Sequence, residues 1–125
     1  MKKYLGIDWG EKRIGLALAE EETKIATPFK TVSNMAEILA VIQEEEINMI
    51  VIGSPKKMNG EKANNPKYLD FITRLEKRVD FSIIFLDERL SSLAADALIG
   101  TKKTKAGRDE IAATIILQGY LDEQS

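Results

Sequence analysis

The chain has 125 residues, of which 44% are hydrophobic and 30% charged, with a net charge of −2 and neither cysteine nor histidine. A chain of this size can bury a core without disulfides or a structural metal, and its composition is that of a soluble globular protein rather than a disordered or fibrous one. Lacking both residue types, it cannot use a thiol nucleophile, a sulfur-bound zinc site or the commonest general base, so any catalysis falls to carboxylates, lysines, hydroxyls or a metal ion.

Lys3 to Asp8 alternates around an apolar strand core, Trp9 to Lys12 holds a glycine-containing turn, and Arg13 to Ala19 is a second apolar run. This pattern predicts a hairpin. Ile25 to Val32 reads as a third strand, placed at a sheet edge by Pro28. Asn34 followed by Glu37 forms a capping-box signature, after which Met35, Ile38, Leu39 and Ile42 mark one helical face. Met49 to Gly53 is short and β-branched, as expected of a strand buried on both faces. The segment from Ser54 to Asn65 reads as a loop.

Asn65-Pro66 supplies a cap and a first-turn proline for a second helix, with Tyr68, Ile72, Leu75 and Val79 facing inward. Phe81 to Leu86 predicts another buried strand, and Ser91 or Ser92 would cap a short helix ending at Gly100. A loop from Thr101 to Arg108 leads into a final helix from about Asp109 to Asp122. This helix is apolar almost all round and so heavily buried. The order is a three-strand meander, then helix, strand, helix, strand and two helices, which predicts an α/β architecture with antiparallel and parallel parts. The expected organisation is one domain over residues 1–125.

Three acids at the ends of apolar segments stand out. Asp8 closes the first strand, and it suits either a site over the sheet or a turn aspartate bonded to its own loop. Asp87 and Glu88 follow a later strand. Their side chains alternate, so only one of them readily joins Asp8, and pairing with Arg89 explains them equally well. Asp109 opens the last helix, as a cap, a dipole partner or a metal ligand. Ala112 and Ala113 behind it permit close approach to the sheet. Carboxylates brought together in this way make a site for a hard divalent cation.

The sequence pI near 5.3 argues against an overall basic footprint. Local basic clusters still occur, in Lys56 and Lys57 after the strand ending at Gly53, and in Lys102, Lys103, Lys105 and Arg108. The apolar runs are strand-length and the first residues make no signal-peptide core, so no membrane partner and a cytoplasmic location are expected.

Taken together, Leu5-Gly-Ile-Asp8-Trp-Gly10-Glu-Lys-Arg13-Ile-Gly15, Val51-Ile-Gly53-Ser-Pro55, Asp87-Glu-Arg-Leu-Ser91 and Asp109-Glu-Ile-Ala112-Ala113 with Ile116-Leu117-Gln118-Gly-Tyr120-Leu121 resemble the bacterial YqgF family. That family is associated with pre-16S rRNA processing and Holliday-junction resolution. The resemblance spans nearly the whole chain. It implies a ribonuclease H-like fold, an α/β arrangement with a mixed five-stranded sheet of antiparallel meander and parallel crossovers flanked by helices.

It also implies a nuclease dependent on Mg²⁺ or Mn²⁺, with Asp8, Glu88 and Asp109 as catalytic metal ligands. Lys12, Arg13, Lys56, Lys57, Arg89, Lys102, Lys103, Lys105 and Arg108 become the candidate nucleic-acid contacts. The expected partners are structured RNA or branched DNA and a pre-ribosomal particle, with the protein acting as a monomer or a homodimer. The chain departs from the family pattern at Ala19-Glu20 and in the loop from Ser54 to Gly60. Two other readings remain at this point, an ATP-binding domain related to sugar kinases and actin, and a non-catalytic RNA-binding assembly factor. Glu11 stands where the ATP-binding pattern expects a phosphate-binding serine or threonine.

Overall fold

The computed structural model of the chain describes residues 2–54, 66–87 and 108–123. Five strands, β1 (Lys3–Asp8), β2 (Ile14–Glu20), β3 (Thr27–Val32), β4 (Met49–Ser54) and β5 (Ile83–Asp87), form one sheet in the order β3-β2-β1-β4-β5. The expected hairpin is present, with β1 antiparallel to β2 from Lys3↔Glu20 to Asp8↔Gly15. β4 runs parallel to β1, and β5 parallel to β4. The carboxyl ends of β1, β4 and β5 therefore share one edge of the sheet, where open α/β folds bind their ligands.

Pro28 lies on the edge strand β3, opposite Ala17, where a bulge between Leu16 and Ala17 shifts the register. A proline lacks the N–H of a central strand, and an edge accommodates it. β5 departs from expectation. Rather than a buried strand, it forms the other edge of the sheet, with Phe85 47% exposed. Its apolar composition reports half-burial, but which strand ends the sheet depends on long-range pairing.

Helix α1 (Met35–Glu44) begins as the sequence predicts, with Asn34 Oδ1 accepting from the Glu37 N–H at 3.0 Å. The return bond of the capping box goes to the Ser33 N–H, which donates to Glu37 Oε2 at 3.0 Å. Helix α2 (Pro66–Arg78) buries Tyr68, Phe71 and Leu75. Phe71 extends the predicted inner face, while Ile72 and Val79 pack at its margin. The short helix expected between Ser91 and Gly100 lies outside the described residues.

Two cores sandwich the sheet. On one side Leu5, Ile7, Leu16, Ile50 and Ile52 meet Ile38 and Val41 of α1 and Leu75 of α2. Each such side chain contributes about 1.5–3 kcal/mol by leaving water. On the other side Tyr4, Ala17, Ala19 and Val51 meet the last helix, α3 (Arg108–Glu123), through Ala113, Ile116, Leu117 and Leu121. Ala112 and Ile115 are only half-buried, so α3 lies on the sheet by one face instead of being enclosed all round. α3 crosses β2, β1, β3 and β4. It comes close because the sheet is small there: a Cβ on Gly6 would stand 2.8 Å from both the Ala113 carbonyl oxygen and Leu117 Cβ.

Candidate active site

The site starts from the alternation of β1. Tyr4 belongs to the α3-side core and a Cβ on Gly6 would meet α3, so Asp8, in step with them, shares that side at the carboxyl end of the strand. Its ladder partner is Gly15. Ladder partners stand about 4.5–5.5 Å apart at Cα and turn their side chains to the same face. Over Gly15 lies the first turn of α3: a Cβ there would collide with the Asp109 carbonyl and stand 2.8 Å from Asp109 Cβ. A side chain at position 15 would thus push α3 off the sheet. Its absence sets Asp109 beside Asp8, from opposite ends of the chain.

The first turn of α3 is held from two directions. Arg13, immediately before β2, places Nε 3.2 Å from Asp109 Oδ2, with side chains 73% and 26% exposed respectively. The neighbouring Glu110 accepts from Thr31 Oγ1 of β3 at 2.9 Å through Oε2. Arg13, expected to contact nucleic acid, is therefore also the partner of a candidate acid. Sequence reading missed this pairing, although an arginine at the same turn as Asp8 was its signal. Lys12 is exposed in the turn between β1 and β2.

Trp9 and Tyr68 border the same edge from the α2 side, with ring centroids 5.5 Å apart and nearly perpendicular. Glu88, Lys56, Lys57, Arg89, Lys102, Lys103 and Lys105 lie outside the described residues, and Arg108 is described as the first residue of α3. Among the described residues no three carboxylates gather into a metal-sized cluster. Two surface cavities of about 400 and 450 Å³ are lined by neither acid. One adjoins Lys3 and Ile25, and the other lies between α1 and α2. No described helix is long and apolar enough to cross a membrane.

The RuvX family model, described as Holliday junction resolvase, matches residues 2–123. A protein of Maridesulfovibrio salexigens named "Putative pre-16S rRNA nuclease" is 37% identical, covering 95% of this chain and 97% of its own length. One of the same name from Phocaeicola vulgatus is 38% identical, covering 99% and 98%. Among solved structures, Thermus thermophilus RuvC in complex with a Holliday junction superposes with a TM-score of 0.58 at 16% identity, covering 98% of this chain and 95% of that one. At that identity the likeness establishes the fold, which is ribonuclease H-like as the resemblance implied. The full-length match favours the nuclease reading over the ATP-binding one. The chain belongs to the RuvX (YqgF) family of phosphodiester-hydrolysing nucleases.

Proposed function

We propose that the chain is a divalent-metal-dependent endonuclease, built on Asp8, Glu88 and Asp109, that processes the 5′ end of pre-16S rRNA during ribosome biogenesis in the cytoplasm. The observation that carries this reading is the seating of α3 on Gly15, the ladder partner of Asp8. Glu88 is preferred to Asp87 because it matches the acid of the family's Asp-Glu-Arg motif, here Asp87-Glu88-Arg89. Carboxylate oxygens suit Mg²⁺ or Mn²⁺, and the chain has no histidine or cysteine to offer an imidazole or thiolate to a softer ion.

When bound, such a cation supplies an activated water and neutralises charge at the phosphate. Arg13 holds the Asp109 carboxylate and offers its remaining N–H donors to a phosphate. Lys12 and the run of Lys102, Lys103, Lys105 and Arg108 take the phosphates on either side.

The test is cleavage of a precursor rRNA 5′ end in Mg²⁺. Asp8→Asn should cut at least ~100-fold more slowly than wild type, beyond the 10–100-fold typical of residues that only support a metal ligand. EDTA should stop both proteins. Equal cleavage by the two would sink the assignment. The family description favours a second reading, resolution of branched DNA. Acting on two symmetric strands, the protein would work as a two-fold dimer, whereas an RNA end requires only a monomer. Cleavage of a four-way junction but not of the rRNA precursor would select this second reading.

A further inference from the structure

Trp9 is the sole tryptophan of the chain and directly follows Asp8. It packs on the α1/α2 side, opposite to Asp8, as alternation requires. Its ring meets Tyr68 edge-on at 5.5 Å and 70°, and Phe71 at 6.4 Å and 43°. Those two partners are buried, whereas Trp9 keeps part of its surface in solvent. The Tyr68 hydroxyl donates to the carbonyl of Gly53, the penultimate residue of β4, at 3.4 Å. Lys67 Nζ lies 3.7 Å from Glu11 Oε2, tying the turn that carries Trp9 to the first turn of α2. The indole is thus held by its neighbours before any ligand arrives, so a ligand that contacts its solvent-exposed part costs little side-chain entropy.

We infer that Trp9 forms a nucleobase-stacking subsite at the carboxyl end of β1, across the strand end from the acids, which takes an unpaired base of the same strand whose phosphate Asp8 and Asp109 address. This rests on the nuclease reading above. Every base has a π face, so the platform reads no sequence. It discriminates by pairing state, because a base inside a duplex is already stacked and reaches the ring only after being extruded. Substrate enters through a single-stranded segment, a loop or a frayed end across the carboxyl edge of β1.

A lone tryptophan makes its emission a direct reporter of the subsite. In EDTA, which prevents cleavage, a short fluorescein-labelled single-stranded RNA should quench tryptophan emission in step with its own rise in anisotropy. A blunt duplex of the same sequence should bind with little quenching. Trp9→Leu should weaken single-strand binding by ~10-fold, within the range for stacking one base on an aromatic ring, and change duplex binding by less than about twofold. Trp9→Phe should restore most of the loss.

If circular dichroism shows Trp9→Leu to be unfolded, quenching of the wild type decides alone. Single-strand binding with unchanged tryptophan emission overturns the subsite, as does an equal loss for single strand and duplex in folded Trp9→Leu. Quenching and selective binding without cleavage when Mn²⁺ is restored would keep the subsite and overturn the nuclease reading. Absence of binding to either form overturns both.

Discussion

At position 15 a hydrogen atom decides where the last helix begins. Adding one methyl group there sets a Cβ against the Asp109 backbone, which cannot rotate away as a side chain would. Gly15→Ala should cost ~3 kcal/mol, the upper part of the usual range for overpacking, as a lower urea midpoint with unchanged slope. Cleavage under fully folding conditions should fall further than that of Gly119→Ala, whose new Cβ would meet only the Leu86 side chain, at 3.4 Å. A second residue-scale effect sits at Tyr4, whose hydroxyl is pushed above its ordinary 10.0 by burial and then by Glu21 and Tyr120. The unfolded chain loses this proton first, so the contribution is intact below about pH 10 and declines as pH rises above it. The stability difference between wild type and Tyr4→Phe, measured by urea unfolding, should therefore shrink from pH 8 to pH 10.5.

Among the elements, α3 does more than cover the sheet. Gln118 reaches from it to the β2–β3 turn, where its Oε1 accepts from the Ala26 N–H at 2.8 Å and its Nε2 donates to the Lys24 carbonyl at 3.0 Å. Lys24 has φ 55, a left-handed conformation that a lysine adopts reluctantly, and these two bonds hold it there. Gln118→Leu should cost about 1–3 kcal/mol and speed hydrogen exchange at Ala26. β1, β2, β4 and α1 were legible in the sequence because alternation, β-branching and a capping box are local signals. The edge position of β5 and the pairing of Arg13 with Asp109 were not, since both depend on which distant segment arrives alongside. Gly15 shows the intermediate case. Its place in a turn motif was visible, but its purpose required knowing what lies above it.

For the whole molecule, a net charge of −2 means that binding to a polyanion relies on a local cationic surface against an adverse background. With about five phosphates neutralised, affinity for RNA should fall roughly 100- to 1,000-fold between 50 and 200 mM salt. Anisotropy across a salt series checks this, and a flat profile would remove the cationic residues from the contact. The sheet order also has a consequence for synthesis. β1 is made well before α3, yet Asp109 comes over Gly15, the ladder partner of Asp8, only when the two elements are packed together. On a translating ribosome the pair cannot assemble until α3 has emerged. The nascent protein, growing beside the very class of polymer it is proposed to cut, thus stays unarmed until its last helix has emerged and packed.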